Sequence, residues 1–299
     1  MKKRILSLLI ILVMLTGLAG CKGKTSENTV KIGSKDFTES FIVAELYALA
    51  LEQAGFEVER KFNLGGTNVT QEAMQKGDLD LYPEYTGTCL LNVLKEEPMK
   101  DPEELYAHVK SVYEAEYHMT LLDASTANNS QGLVMTRSIA KQYGIQTISD
   151  LQKNASLIRF ASQGAFEENA DGMPALTGTY GEFTFRSVEF YDNAIKYELL
   201  KNDKADLAVA FTTDGQLTDP DFVLLEDDKA AWPSYNIVPV IRQDSLEKHP
   251  QIEEALNRVS AALDTETMQQ LNAKVDLEKE EPEDVAAEFF QENLNGRRG

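Results

Sequence analysis

The sequence predicts an α/β fold that is built from two half-domains. Strand-like and helix-like segments alternate along most of the chain, which is typical of sheets covered by helices. Polar loops follow three successive strand-like segments in the first half, where the carboxyl ends of parallel strands meet. The chain after residue 20 is roughly 280 residues long, which suits two ordinary domains or one bilobal domain.

The first half-domain is predicted to follow the order β-α-β-α-β. Strands are expected at residues 30–33, 56–62 and 79–82, and helices at residues 41–54 and 68–76. Glycines follow both helices, as is typical of helix ends. Pro83 cannot donate a hydrogen bond to a neighbouring strand. The third strand is therefore expected to end before Pro83 or to lie at an edge of the sheet.

A strand-to-helix corner with the sequence EYTGT follows the third strand. Gly87 permits an unusual backbone angle, Thr88 is able to cap a helix, and residues 89–94 are predicted to form that helix. The corner would present Tyr85 and two hydroxyl groups at the carboxyl end of a strand, which is where open α/β sheets bind ligands. The alternative interpretation is a capped turn with Tyr85 lying on the surface.

The second half-domain begins near Asn128, and the alternation continues to the end of the chain. Strands are expected at residues 133–136, 157–162, 183–190, 207–211, 223–225 and 237–242, with a loop at 163–172. Helices are expected at residues 138–143, from 147 onward with Ser149 as the cap, and at 191–201, 253–263, 264–275 and 283–293. The acidic run at residues 276–288 is interpreted as a solvated helix face.

The start of the chain indicates export and lipid attachment. A positively charged KKR precedes a nearly apolar stretch at residues 5–15, which is too short for a membrane span. The sequence LAGC that ends at Cys21 resembles the lipobox of bacterial lipoproteins, in which the cysteine is acylated. Residues 1–20 would then be a signal peptide, and residues 21–29 a lipidated tether at the outer face of the membrane. The alternative is an ordinary secretory peptide that contains a cysteine.

Cysteine and histidine give no support for a disulfide or a metal site. Once Cys21 carries lipid, Cys89 is the only other cysteine, and its apolar neighbours predict a buried helix residue. The three histidines, His108, His118 and His249, have no ligand-like spacing. We therefore expect neither a metal nor a cofactor.

The charge of the chain excludes nucleic acid as a partner. The formal net charge is −20, and removal of residues 1–20 would lower it to about −23, whereas phosphate contacts need a basic face. An enzyme is also poorly supported, because Asp80, Glu84 and Asp214 are accompanied by no histidine or nucleophilic serine motif. The sequence therefore favours a binding protein.

Several short motifs together resemble one protein family. They are GSKDFTE at residues 33–39, GGT at 65–67, DLYPEYTGT at 80–88, NN at 128–129, DG at 171–172, AFTTDG at 210–215, and YN at 235–236 before VPV. In this order they resemble the substrate-binding proteins of osmoprotectant ABC importers, which carry glycine betaine, carnitine, choline and related quaternary amines. The resemblance covers essentially the whole chain after the signal segment. It implies an extracytoplasmic protein that delivers its ligand to a membrane permease.

The resemblance also implies a bilobal, type II periplasmic-binding-protein-like fold. In this fold two α/β lobes are joined by a two-segment hinge and close on the ligand. Lobe 1 would comprise residues 30–127 and 237–294, and lobe 2 would comprise residues 128–236. The crossovers would include residues 128–131 and 234–236.

An aromatic cage is the main feature that the resemblance implies for the site. A quaternary ammonium cannot donate a hydrogen bond, so aromatic faces must hold it. The family uses a cage of tyrosines, and three of its positions match Tyr85, Phe211 and Tyr235. The fourth position falls at Gln131, where the family usually has an aromatic residue.

The family contacts that hold the other end of a betaine are only partly present. Lys35 matches a lysine that meets the ligand carboxylate, but Asn169 stands where the family has an arginine, so a bidentate clamp is lost. Thr88, Ser34 and Asn169 could still donate hydrogen bonds, more weakly. These departures leave room for choline, carnitine or a bulkier betaine. A bilobal amino-acid-binding or sensory module with a changed ligand stays open as an alternative, since fold resemblance alone does not define a ligand.

Overall fold

The computed structural model describes residues 28–296, whose strands form two five-stranded sheets. This arrangement confirms the predicted α/β class. The predicted signal segment, the lipidation site Cys21 and most of the predicted tether lie outside the described residues. None of the helices within residues 28–296 is long and apolar enough to cross a membrane.

The first sheet is formed by the N-terminal strands and one strand that returns from the last third of the chain. Its members are β1 (Thr29–Gly33), β2 (Glu57–Lys61), β3 (Leu81–Tyr85), β4 (Met119–Leu121) and β10 (Ile237–Arg242). Their order across the sheet is β2-β1-β3-β10-β4. Strand β10 is antiparallel to both of its neighbours, whereas β1 is parallel to β2 and β3.

The second sheet repeats the plan of the first. Its members are β5 (Gln131–Thr136), β6 (Arg159–Ser162), β7 (Ser187–Phe190), β8 (Leu207–Phe211) and β9 (Phe222–Leu224). Their order is β7-β6-β8-β5-β9, and β5 takes the place of β10 as the strand antiparallel to both neighbours. Each sheet with its covering helices forms one lobe.

Helices cover both faces of the first sheet. They are α1 (Thr38–Gln53), α2 (Thr67–Lys76), α3 (Thr86–Thr88, continued by a π-helical turn at Cys89–Leu94) and α4 (Pro102–Val112, continued by a π-helical turn at Tyr113–Tyr117). Alternate residues of β10 enter different apolar clusters: Ile237 packs with α1, and Val238 packs with the π-helical segments. This burial on both faces explains why β10 is a near-continuous apolar run.

Shorter helices cover the second sheet, and four helices follow β10. The second lobe contains α5 (Arg137–Tyr143), α6 (Ile148–Asn154), α7 (Gly164–Glu168), α8 (Met173–Tyr180) and α9 (Lys196–Lys201). The C-terminal helices are α10 (Gln243–Lys248), α11 (Gln251–Ser260), α12 (Thr265–Asp276) and α13 (Pro282–Asn293), of which α11, α12 and α13 pack against α1.

Two crossovers connect the lobes and are hydrogen-bonded to each other. Asn128 and Asn236 form an isolated antiparallel bridge. The N–H of Asn129 donates to the carbonyl of Tyr235 (3.0 Å), and the N–H of Tyr235 donates to Oδ1 of Asn128 (2.7 Å). The crossovers therefore run side by side as a short two-stranded ribbon beneath the cleft between the lobes.

The expectation that Pro83 ends a strand or lies at an edge was wrong. Strand β3 continues through Pro83 to Tyr85 inside the sheet, and Pro83 lies opposite Pro239 of β10. Because both prolines fall at one register position, the missing N–H groups coincide, and the flanking residues of the two strands stay paired. On the other side of β3, the pairing with β1 involves Leu81 alone, so no partner requires an N–H from Pro83.

Other local predictions also need correction. Thr147, not Ser149, caps helix α6, because its side chain accepts from the N–H of Asp150 in a capping box. The predicted loop at 163–172 contains helix α7, and the predicted strand at 183–190 is paired only from Ser187 onward. Helix α4, strand β4 and helices α8 and α10 had not been predicted.

Gly215 tests how closely the second lobe packs on helix α12. A Cβ at Gly215 would lie 2.6 Å from N and 2.7 Å from Cα of Ala273, which are backbone atoms of α12. We expect Gly215→Ala to lower the free energy of unfolding by about 1–3 kcal/mol, as overpacking typically does. Gly178→Ala is the matched control, because a Cβ there meets nothing and alanine favours helix α8. Urea unfolding should separate the two variants, and equal midpoints would contradict the close packing.

Candidate functional site

A cavity of about 470 Å³ lies between the two lobes. Both lobes, the crossovers and helix α12 contribute to its wall. The lining residues are Lys35, Phe37, Thr38, Glu39, Tyr85, Thr88, Asn92, Asn129, Gln131, Asp171, Asn193, Phe211, Thr213, Asp214, Tyr235, Asn272 and Asp276. Aromatic rings and carboxylates therefore face the same cleft between the lobes.

The corner after β3 brings two of the rings together. Tyr85 is the last residue of β3 and the N-cap of α3, so its side chain leaves the sheet at a carboxyl end. Gly87 lies against the second crossover, since a Cβ there would come within 2.8 Å of the carbonyl of Ser234 and of the Tyr235 ring. Phe37 stacks near Tyr85 with a centroid separation of 6.2 Å. The glycine in the EYTGT motif thus allows the close approach of Tyr85 and Tyr235.

Glu39 is a buried carboxylate that joins three parts of the protein. Its Oε1 accepts from the Tyr85 hydroxyl (2.7 Å) and from Nδ2 of Asn129 (2.9 Å). Its Oε2 accepts from Nδ2 of Asn272 in helix α12 (2.8 Å), and Nδ2 of Asn272 also reaches the carbonyl of Thr213 in the second lobe (2.9 Å). Three neutral donors satisfy this charge and fix the Tyr85 ring.

Lys35 is buried and already paired. Its ammonium forms a hydrogen-bonded ion pair with Oε1 of Glu84. Glu84 also accepts from the Tyr85 N–H (2.9 Å) and from the Thr67 hydroxyl (3.0 Å). The Lys35 ammonium lies 4.5 Å from the centre of the Tyr85 ring. One cation therefore lies beside this ring within the protein itself.

The second lobe has a similar arrangement at the end of β8. Asp214 forms an ion pair with Lys196 (2.5 Å) and accepts from the Tyr197 hydroxyl (2.8 Å) and from the N–H of Phe211 (3.1 Å). The Lys196 ammonium lies 5.5 Å from the centre of the Phe211 ring. Phe211 thus reaches the cavity with a lysine–carboxylate pair close behind it.

The two cavity tyrosines are hydrogen-bond donors to carboxylates. The Tyr235 hydroxyl donates to Oδ2 of Asp171 (2.9 Å), as the Tyr85 hydroxyl donates to Glu39. Burial, and secondly the nearby Glu39 carboxylate, hold the pKa of Tyr85 well above its usual value. Burial, and secondly the nearby Asp171, also raise the pKa of Tyr235. Both phenols therefore stay protonated at neutral pH.

Six of the eight side chains that the sequence assigned to a ligand line this cavity: Lys35, Tyr85, Thr88, Gln131, Phe211 and Tyr235. Ser34 does not line it; it is fully buried, and its hydroxyl accepts from the N–H of Asn63 (2.9 Å). Asn169 does not line it either, but borders a second cavity between the lobes. Gln131 makes no side-chain hydrogen bond to any described residue, so its amide is free to contact a ligand.

Sequence reasoning missed several lining residues. Phe37, Glu39, Asn129, Asp171 and Asp214 all belong to the motifs that carry the family resemblance, so the motifs held the signal for them. The lining residues of helix α12, Asn272 and Asp276, had no such signal. Asn272 lies in a segment with an ordinary amphipathic pattern. Asp276 begins the acidic run that was predicted to be a solvated helix face, and for Asp276 this prediction was wrong, because it lines the cavity. Within residues 28–296 no group of three histidine, cysteine or acidic side chains is arranged to hold a metal ion.

Comparisons with known proteins agree with this architecture. Residues 28–292 match the family described as "Substrate binding domain of ABC-type glycine betaine transport system". The chain is 33% identical to the carnitine transport binding protein OpuCC of Listeria monocytogenes over 302 residues, covering 98% of each. It is 34% identical to a glycine-betaine-binding protein of Pseudomonas aeruginosa over 281 residues, covering 91% of this chain and 90% of the relative.

A solved structure shares the whole fold. It is described as a glycine betaine/carnitine/choline ABC transporter and superposes with a TM-score of 0.83 at 29% identity, covering 88% of this chain and 98% of that chain. The predicted bilobal fold and the predicted family are thereby confirmed. The chain belongs to the family of substrate-binding domains of ABC-type glycine betaine transport systems.

Proposed function

We propose that this protein captures a small quaternary ammonium compound between its lobes and delivers it to the permease of an ABC importer. The observation that carries the proposal is a cavity with aromatic rings from both lobes, namely Phe37, Tyr85 and Phe211, and with Tyr235 from a crossover. A methylated ammonium has no hydrogen to donate, so π faces and negative charges are the groups that bind it. Two of the relatives are named for carnitine and for glycine betaine, which are methylated amines of this kind.

The size of the cavity and its place between the lobes support binding of a small molecule. A volume of about 470 Å³ falls in the range of ordinary ligand pockets. Lobe 1 is proposed to comprise residues 30–127 and 237–294, lobe 2 residues 128–236, with the hydrogen-bonded crossovers as the hinge. Rings from both lobes would then converge on a ligand only when the lobes are close together.

Six side chains are proposed to contact the ligand. The rings of Tyr85, Phe211 and Tyr235 would surround the methyl groups, and Gln131 would replace the fourth ring with an amide that can hydrogen-bond a polar substituent. Thr88 and Lys35 would lie on the lobe 1 side of the cage. Binding without catalysis is the proposed role.

The proposed location is the outer face of the cell membrane. Signal peptidase would cut before Cys21, and acylation of that cysteine would hold the folded domain next to its permease without a membrane span. The described fold begins at residue 28, which leaves a short polar segment between the lipid and the first strand.

Truncation of Tyr85 tests the cage. We expect Tyr85→Ala to weaken binding of the preferred methylated amine by about 30-fold or more, since a desolvated cation–π contact is worth about 2 kcal/mol. Tyr85→Phe is the matched control, because it keeps the ring and removes only the hydroxyl bonded to Glu39, so its loss should be much smaller. Calorimetric titration with glycine betaine, carnitine and choline measures both.

Either of two results would contradict the cage. One is an Ala variant that binds as well as the unmodified protein. The other is the absence of binding of any methylated amine at millimolar concentration. A thermal shift caused by amino acids alone would instead favour the amino-acid-binding or sensory alternative.

Replacement of Cys21 tests the anchor. The full chain, expressed in a bacterium, should partition into the detergent phase of a Triton X-114 extract, and Cys21→Ser should move it to the aqueous phase. Cys89→Ser is the matched control, because Cys89 is buried within the fold. If the two serine variants partition alike, the lipoprotein assignment fails.

A further inference from the structure

The ammonium groups of the two lysines beside the cage rings are each already paired with a carboxylate of the protein. Lys35 is paired with Glu84, and Lys196 is paired with Asp214. Each pair is locked by further hydrogen bonds to its carboxylate, including the Thr67 and Tyr197 hydroxyls. A ligand carboxylate that approached either lysine would have to compete with a buried ion pair.

Three other carboxylates on the cavity wall have neutral partners only. Glu39 accepts from one hydroxyl and two amides, as described above. Asp171 accepts from the Tyr235 hydroxyl, and Asp276 accepts from the Thr38 hydroxyl (2.8 Å). None of the three forms an ion pair with a lysine or arginine among residues 28–296. Their negative charge is therefore uncompensated within the described protein.

Asp171 differs from the other two carboxylates because it lies at the border of two cavities. It lines the main cavity and also a second cavity of about 770 Å³, and Asn92 is the other residue that the two cavities share. A ligand held by the rings that extends toward the second cavity must pass Asp171. The second cavity is lined by Glu96, Glu97 and Lys95, so it offers no excess of positive charge.

The border between the two cavities therefore carries a negative charge, that of Asp171. Asn169 lines only the second of these cavities, so its amide offers no contact in the main cavity. Two residues further along the same loop, Asp171 does reach it. An anionic group at this place would lose its hydration and face a carboxylate, and both effects disfavour binding.

From this geometry we propose that the cavity selects ligands with a net positive charge over zwitterions of the same shape, and that Asp171 is a specificity-determining residue for this choice. The proposal rests on the proposed function, because it concerns the charge of the non-ammonium end of the same ligand. The ligand cation supplies the missing counter-charge for Asp171, Glu39 and Asp276. The other end of the preferred ligand is uncharged, such as a hydroxyl or an amide.

A pair of matched ligands tests the proposal without any mutation. Glycine betaine and its primary amide share the trimethylammonium group and nearly the same size, but the first is a zwitterion and the second is a cation. We expect the amide to bind about tenfold tighter or more, given the strength of charge interactions in partly buried sites. Calorimetric titration of the mature, lipid-free protein at a fixed ionic strength measures both affinities.

Asp171→Asn then tests the assigned residue. Asparagine keeps an oxygen that accepts from the Tyr235 hydroxyl and removes the charge, so the preference for the amide should shrink several-fold. Asp221→Asn is the matched control, because Asp221 is exposed, belongs to the same lobe and lines neither cavity. It makes the same change in net charge and should leave the preference unchanged. Circular dichroism confirms that both variants are folded.

The possible results separate this proposal from the proposed function. Equal binding of both ligands, or tighter binding of glycine betaine, overturns the selection for net charge but leaves the cage intact. An unchanged preference in Asp171→Asn overturns the role of Asp171. If neither ligand binds, and no other methylated amine does, the proposed function itself fails.

Discussion

The arrangement of the cleft depends on one buried carboxylate, that of Glu39. A charge at this depth is tolerated only when hydrogen bonds replace its water, and three donors do so here. The donors come from β3, from a crossover and from helix α12, so the requirement to satisfy one charge positions three separate segments. Removal of any donor would leave part of a buried charge exposed to apolar surroundings, and such a loss costs more than the bond itself contributes.

The two lobes place an aromatic ring and an ion pair at the cleft in the same way. Each ends a central strand with an aromatic residue at the cavity, Tyr85 or Phe211, and each places a buried lysine–carboxylate pair against that ring. The repeated strand order of the sheets accounts for this likeness, because equivalent strand ends face the same cleft. The pairs make each lobe locally neutral, which leaves the unpaired carboxylates to define the charge of the cavity.

Strands with a strong local pattern were predictable from the sequence. Features that depend on a residue distant in the sequence were not. The runs of residues 207–211 and 237–242 were recognised as strands because apolar burial on both faces leaves a clear pattern. The prediction for Pro83 was wrong because a proline is tolerated inside the sheet only opposite Pro239, which is distant in sequence. The corner at Tyr85 was recognised from its motif. Asn272 and Asp276 were not, because a helix pattern does not indicate which distant cavity its polar residues reach.

The contact between Glu39 and Asn272 joins segments that are far apart in the sequence, and this separation limits when the cavity wall can form. These residues are 233 positions apart, and Thr38 and Asp276, which bond beside them, are 238 apart. The cavity wall therefore cannot be completed before the residues up to Asp276 have been synthesised. Contacts of such sequence separation form late and slow folding. A chain that ends before helix α12 would lack both contacts, so its N-terminal segments alone do not complete the ligand site.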